Sequence, residues 1–435
     1  MSHAVQIGLL GCGTVGAGVY KLLQEKAALY AHKVHMPIEI AGILVRDPQK
    51  YIQAGIPEHL LTTDPADILE HPEIQIVVEV MGGIEPAKAY ILQALSSGKH
   101  VVTANKALIA RHGEELFAAA SEAEAALYLE AAVAGGLPII QTIKRSLVAN
   151  RVGSLYGIIN GTTNYILSAM AQEKRDFKEV LAEAQALGYA EADPTDDIEG
   201  FDAVYKIAIL SSLVFGHRVQ VEQIHRVGIQ HISKRDIEYA ERFGYTIKLL
   251  AIAKQDGDHF EARVHPTMIP KEHPLASVNG VYNAIYLNGD AVGDMMFYGR
   301  GAGQMPTASA VVSDILNIVS DLENPPNSLM SCQHAHGSKD LSSNDHVVNR
   351  FFIRLLTQDK SGVLGQIGTI LGNQDISIHT LEQTKDRSGE AELILITHPV
   401  SEGKLRQAVS QLRQLGTTQE IYSIIRVEDF GLRPA

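Results

Sequence analysis

Residues 189–206, YAEADPTDDIEGFDAVYK, set six carboxylates in eighteen positions and close on one lysine. Three chemistries suit such a run: a cation loop, a solvated acidic face, or a pocket for a positively charged substrate. A calcium loop of the EF-hand kind needs Gly at its sixth position and Glu at its twelfth. Counted from Asp193 those positions hold Ile198 and Val204, so that loop is excluded. Against a purely solvated face stand the flanks. GYAEADP reads as a turn, and the acids lead into a helix with apolar Phe201, Val204, Ile207 and Leu210. On that helix Asp202 and Lys206 are four apart and share a face. A lysine held by carboxylates keeps its proton, because opposite charge favours the ammonium form, and such a group can donate it.

A second constellation lies near the N-terminus. GCGTVG places Gly11, Gly13 and Gly16 directly behind the apolar run VQIGLL and at the start of a helical pattern. In a dinucleotide site the first glycine makes the tight turn, the second lets the pyrophosphate reach the backbone, and the third packs helix on strand. The helix N-terminus then faces the phosphates. The next apolar run ends ILVRDPQK. Arg46 suits the extra phosphate of NADP, Asp47 leaves NAD open, and the two could equally form a helix cap on a surface turn. EVMGGIEP and TANKALIA end the third and fourth runs, where open α/β sheets bind ligands. Lys106 thus points a cation at the crevice; the alternative is a solvated first-turn lysine, but a cation is disfavoured at a helix N-terminus, which favours a functional role. A nicotinamide-type site, a lysine acid and carboxylates able to grip an ammonium group together suggest reduction of a carbonyl on an amino-acid-like substrate.

The elements that must position these groups fall into three zones. Over residues 1–133 the runs 5–10, 38–45, 74–80, 99–104 and 126–133 are nearly continuously apolar, as parallel strands buried on both faces should be. Helical patterns separate them, so the expected fold is a Rossmann-type doubly wound sheet. Residues 134–320 read as an α+β domain. It has helices at 163–173, 177–187 and 199–214, a hairpin of 246–255 with 259–269 around a DGD turn, and a second hairpin over 281–299. Residues 321–347 are loop-like and form the expected linker. Residues 348–430 follow the order strand, helix, strand, strand, helix, strand, which is the ferredoxin-like βαββαβ pattern.

Composition narrows the function classes. The net charge of −13 and the lack of a basic stripe argue against nucleic acid. No apolar run reaches membrane-spanning length, and MSHAVQIGLLGCG enters a strand without a basic segment and cleavage site. Cys12 and Cys332 are the two cysteines, without ligand spacing, which suits a reducing, cytoplasmic setting.

AQALGYAEADPTDDIEGFDAVYK, residues 184–206, closely resembles the signature of homoserine dehydrogenase, where a Gly, a Pro, two Asp and a terminal Lys keep fixed spacing. GCGTVGAGV, EVMGG, TANKALIA, EAAVAGGLPII, NGTTNYIL and GRGAGQMPTA resemble segments of that family in the same order, and DKSGVLGQIGTIL resembles an ACT domain. The resemblance implies Lys206 as proton donor, Glu191 and Asp202 on the substrate, and Lys106 between cofactor and substrate. It further implies Gly11, Gly13, Thr14, Val15 and Gly16 on the dinucleotide, Thr103 and Lys106 on its nicotinamide side, and Gly303 approaching it. Pro194, Asp196 and Asp197 would shape the loop. A monovalent cation such as sodium would map onto Glu130, Val133, Gly135 and Leu137, largely through carbonyl oxygens. The implied reaction is NAD(P)H-dependent reduction of L-aspartate 4-semialdehyde to L-homoserine, with threonine as effector at the ACT domain and a homodimer or homotetramer as the assembly. Two other classes share parts of this pattern. A related semialdehyde or 2-oxo-acid dehydrogenase would prefer another carbonyl, and a non-catalytic dinucleotide sensor would not need Asp202 and Lys206 together.

Overall fold

A computed structural model describes residues 4–257, 259–323, 340–385 and 389–430. Cys332 and most of the 321–347 linker lie outside the described residues. The chain divides into two compact units, one built from residues 1–152, 205–223 and 287–339, the other from 153–204, 224–286 and 340–435.

The first unit is organised by a six-stranded sheet: β1 (Val5–Leu10), β2 (Ile38–Leu44), β3 (Leu61–Thr62), β4 (Ile74–Glu79), β5 (His100–Thr103) and β6 (Leu127–Tyr128). Its order is β3-β2-β1-β4-β5-β6, and every neighbouring pair is parallel. The continuous apolar runs have the expected cause, since Ile7, Leu9, Ile76, Val77 and Val78 are all fully buried. The order reverses between β1 and β4, which opens the crevice where such sheets bind dinucleotides. Helix Gln304–Glu323 packs its apolar face, Ala308, Val311, Ile315 and Val319, into the same core as β1 and helix Thr14–Glu25.

One expected strand is corrected. Of residues 126–133 only Leu127–Tyr128 pair in the sheet, and Glu130–Ala132 form a 3-10 turn. The backbone leaves the sheet because its polar groups find other partners. The Glu130 N–H donates to Asp314 Oδ2 at 2.8 Å, and the Glu130 carboxylate accepts the Ile140 and Gln141 N–H groups, both at 2.8 Å.

In the second unit the hairpin forms as expected, with Tyr245–Asp256 antiparallel to His259–Pro270 in a register that pairs Asp256 with His259 and Tyr245 with Pro270. The βαββαβ order is also realised, as Val348–Gln358, Val363–Gly372, Ile378–Lys385, Glu390–Thr397, Glu402–Gln414 and Thr418–Val427. Its core of Phe351, Ile353, Leu355, Ile367, Leu371 and Leu395 is separate from that under the hairpin. Local patterning does not reveal that the two parts share one sheet. Strand Thr418–Val427 pairs in parallel with His259–Pro270, Thr267 opposite Arg426 and Met268 opposite Val427. The far edge is Ile378–Lys385.

Candidate active site

The glycine-rich turn shows three distinct local needs. Gly11 has φ of +102°, which favours glycine, and its N–H donates to Leu44 O at 3.0 Å, tying the turn to β2. A Cβ on Gly16 would stand 2.4 Å from Gly11 O, so no side chain fits there. A Cβ on Gly13 would meet nothing within 4 Å, leaving the backbone open to a ligand at the start of helix Thr14–Glu25. Thr14 and Val15 form the first positions of that helix. Cys12, inside this turn, is buried, and burial pushes its thiol up to about 11, so it is not a thiolate nucleophile at neutral pH.

At the end of β2, Arg46 and Asp47 are both exposed. Asp47 caps helix Pro48–Gln53 by accepting the Gln49 N–H at 3.1 Å. Its carboxylate is therefore engaged by its own backbone, while Arg46 carries the positive charge at the strand end.

Glu79, which the sequence reading did not single out, organises the ends of β4 and β5. It is fully buried, and its carboxylate accepts the Met81 and Gly82 N–H groups at 2.9 and 3.1 Å and the Thr103 hydroxyl at 2.7 Å. Burial pushes its carboxyl above the usual range, while the hydrogen bonds pull the other way by favouring the ionised form. Thr103 Oγ1 in turn accepts the Asn105 N–H at 3.0 Å. Asn105 donates to Gly83 O at 2.6 Å and caps helix Lys106–Glu122 through the Leu108 N–H. The chain Glu79–Thr103–Asn105 thus fixes the MGG loop and the helix start that carries half-buried Lys106. The signal available beforehand was one acid closing an otherwise apolar parallel strand.

Helix Lys106–Glu122 is joined to helix Phe201–Phe215. Arg111 donates to the Tyr205 hydroxyl at 2.8 Å, and Arg218, just beyond the second helix, reaches Arg111 O at 2.8 Å and the Glu114 carboxylate. Tyr205 directly precedes Lys206, which is 9% exposed. The two helices bearing Lys106 and Lys206 are therefore neighbours within the first unit.

The acidic run resolves into different environments. Glu191 and Asp196 are exposed, and Asp197 is half-buried on the short helix Thr195–Ile198. Asp193 caps that helix region through the Thr195 N–H and hydroxyl, with Pro194 at its N-terminal edge. Asp202 is buried on helix Phe201–Phe215, one turn before Lys206. Asn160 donates to both Asp197 and Asp202, at 2.6 and 2.9 Å.

The turn after β6 and the loop before helix Gln304–Glu323 are fitted to each other. Gly135, with φ of +53°, leaves no room for a Cβ, which would stand 2.3 Å from Gly301 O. The Gly136 N–H donates to Arg300 O at 3.2 Å, and Gly303 has φ of +121°. For the cation set, Val133 and Leu137 flank this turn. The Glu130 carboxylate is occupied by two N–H groups, so it faces backbone donors. Beside it Asp314 is fully buried, its Oδ1 has no hydrogen-bond partner, and burial together with the Glu130 charge pushes its carboxyl well up. Two buried carboxyls and a strand-end turn fit a nearby monovalent cation held by carbonyl oxygens. Among the described residues no group of three or more His, Cys, Asp or Glu could hold a metal ion, and no helix is long and apolar enough to cross a membrane.

Comparison with known proteins agrees with this geometry along the chain. Residues 11–130 match the family model for the homoserine dehydrogenase NAD binding domain, 138–316 that for homoserine dehydrogenase, and 351–417 that for the ACT domain. A homoserine dehydrogenase of Synechocystis sp. is 50% identical, over 97% of this chain and 99% of that one. The crystal structure of a homoserine dehydrogenase from Thiobacillus denitrificans superposes with a TM-score of 0.94 at 41% identity, covering 99% of both chains. A hyperthermophilic archaeal homoserine dehydrogenase in complex with NADPH is 28% identical, with a TM-score of 0.63 over 74% of this chain and 99% of that one. With a nucleotide-type sheet, a lysine one turn beyond a buried aspartate, and this likeness over nearly its whole length, the chain belongs to the homoserine dehydrogenase family of NAD(P)-dependent oxidoreductases acting on a CH–OH group.

Proposed function

We propose that this enzyme reduces L-aspartate 4-semialdehyde to L-homoserine with NADPH as the preferred donor, using Lys206 as the proton donor. The observation that carries the reading is helix Phe201–Phe215, which sets Lys206 one turn beyond buried Asp202 at the end of an acidic loop. Bound NADPH supplies hydride to the aldehyde carbon. Lys206 Nζ gives its proton to the oxygen that becomes the hydroxyl. Glu191 and Asp202 hold the substrate ammonium and hydroxyl ends, and Lys106 stabilises negative charge on the oxygen as it develops. Residues 1–133 serve the dinucleotide, 134–320 the substrate and subunit pairing, and 348–430 regulation. Gly303 approaches the dinucleotide from the loop before helix Gln304–Glu323. Since the Thr103 hydroxyl is taken by Glu79, Thr103 faces the nicotinamide through its backbone.

The assay that tests the reading follows NADPH oxidation with aspartate semialdehyde as substrate. Oxidation with another semialdehyde or a 2-oxo acid in its place would give the site to a related dehydrogenase, and none with any carbonyl would leave a dinucleotide sensor.

The glycines separate cofactor binding from folding. Gly13→Ala adds a methyl in open space at an ordinary φ of −68°. It therefore weakens NADPH binding by about tenfold or more with little change in melting temperature. Gly16→Ala drives a Cβ into Gly11 O and costs about 1–3 kcal/mol of stability as well. Thermal melts alongside NADPH titrations check both.

Preference for NADPH rests on Arg46, with Asp47 drawn into its helix cap, and agrees with the NADPH held by the archaeal relative. Arg46→Ala weakens NADPH by about 10- to 100-fold, the scale of one charge-assisted contact to phosphate, and leaves NADH unchanged. Equal losses for both cofactors would place the 2′-phosphate elsewhere.

Glu130, Val133, Gly135 and Leu137 would hold a monovalent cation such as sodium through carbonyl oxygens. The ACT domain takes an amino-acid effector, threonine in this reading, in a homodimer or homotetramer. A cytoplasmic location suits the buried free thiol of Cys12.

A further inference from the structure

Asn160 follows strand Val152–Ile158 and uses the two ends of one amide for two tasks. Its Oδ1 accepts the Thr163 N–H at 2.8 Å and the Thr163 hydroxyl at 2.8 Å, capping helix Gly161–Glu173. A backbone N–H can only donate, so this contact fixes which end of the amide is oxygen. The nitrogen therefore faces the acidic loop, where it gives one hydrogen to Asp197 Oδ1 at 2.6 Å and one to Asp202 Oδ2 at 2.9 Å. Asn160 is 5% exposed and Asp202 is 6% exposed, so the bond between these two is sheltered from competing water.

Two carboxylates that reach the same nitrogen lie close enough to repel, and the shared amide holds both in a fixed arrangement. The neutrality of the donor matters as much as its geometry. An arginine or lysine here would compete with a substrate ammonium for Asp202, whereas an amide orients the carboxylate without adding a positive charge of its own.

We propose that Asn160 is a positioning residue that holds Asp202 in the orientation the substrate ammonium or hydroxyl meets, and so sets the KM for the aldehyde. This rests on the reading of Asp202 as a substrate-binding group. Asn160 acts through Asp202 and touches neither hydride nor proton.

Asn160→Ser tests it, because serine is as good a helix cap as asparagine but carries no amide to reach the two carboxylates. Asn160→Thr is the second variant, since it also keeps a capping hydroxyl but carries no amide. The expected result for each is a KM for aspartate semialdehyde raised by about tenfold or more, the scale of a lost hydrogen bond to a charged group. Turnover at saturation, NADPH affinity and melting temperature stay near wild type. In the double variant Asn160→Ser/Asp202→Asn, KM is no worse than in Asp202→Asn alone, as a residue acting through another requires. Multiplied losses in the double variant, or an unchanged KM in Asn160→Ser beside an impaired Asp202→Asn, would overturn the proposal. A KM rise accompanied by a matching loss of melting temperature in both variants would assign Asn160 to a general structural role and overturn it too. A wild-type KM in Asp202→Asn would instead remove the parent reading, and this proposal with it.

Discussion

Lys206→Ala lowers turnover by at least about 100-fold while NADPH binds with its wild-type affinity. The magnitude follows from the proposed role of the lysine as proton donor. Hydride addition to an aldehyde leaves charge on oxygen, and a positioned acid that quenches this charge is worth roughly two powers of ten or more, about 2.7 kcal/mol of barrier. Lys206 is 9% exposed on a helix that also carries buried Val204, Ile207 and Leu210. Water is therefore a poor substitute once the amine is gone. Lys206→Arg keeps the positive charge but gives up its proton far less readily, so it recovers substrate binding more than turnover. Steady-state rates at saturating aldehyde, with NADPH binding measured separately, resolve the two effects. Near-normal turnover in Lys206→Ala would move the proton donor to another residue.

Asp236→Ala is the variant expected to cost most in stability, about 3–5 kcal/mol. Asp236 is fully buried at the start of helix Lys234–Arg242, where it forms a capping box with Ser233. Its Oδ1 also accepts Arg354 Nε at 2.8 Å and the Ser423 hydroxyl at 2.6 Å, from two strands of the ferredoxin-like fold. Arg354 continues to Glu392 at 2.8 Å, and Tyr239 on the helix donates to the same Glu392 at 2.7 Å. Removing Asp236 leaves a buried guanidinium without one of its two carboxylate partners, which is why the loss exceeds that of a cap alone. The double change Asp236→Leu/Arg354→Met recovers much of it, because no unpaired charge remains buried. Lys404→Ala is the control. It breaks the exposed Lys404–Asp375 pair and changes stability by no more than about 1 kcal/mol. Urea unfolding, with hydrogen exchange along residues 418–427 and 259–270, checks all three. A loss in Asp236→Ala no larger than the control's would show that the network does not hold the helix to the sheet.

This joint bears on how regulation is tested. Because Thr418–Val427 pairs with His259–Pro270, deleting the ACT residues strips a strand from the sheet of the same unit. A truncated chain that loses effector sensitivity would then report a damaged sheet as readily as a missing site. Substitutions on the outer edge strand Ile378–Lys385, far from that pairing, avoid the ambiguity.

Much of the scaffold was legible from local pattern. Strands β1, β2, β4 and β5 declare themselves because burial on both faces of a parallel sheet demands unbroken apolar runs. The hairpin 245–270 is legible because two long alternating runs flank a DGD turn, and the βαββαβ order because its elements alternate in period. Gly11 and Gly16 in the fold have the conformational freedom and close packing that their spacing implies. The two-residue β3 was missed, since so short an edge strand has no periodicity to read. Residues 126–133 were expected as one strand because the run is apolar, yet Glu130 bends it out of the sheet.

What the sequence by itself determined was each element's buried face, and the residue types able to bind a dinucleotide, grip an ammonium and donate a proton. These are properties of neighbours in the chain, where period and spacing suffice. Only the tertiary structure decided which polar groups meet. Glu79 finds Thr103, Asn160 finds Asp202, Arg354 finds Asp236, and strand 418–427 finds 259–270, across separations of 24, 42, 118 and well over a hundred residues. A buried polar group must be satisfied wherever packing leaves it. Its partner is therefore chosen by the fold as a whole, and no local pattern announces it.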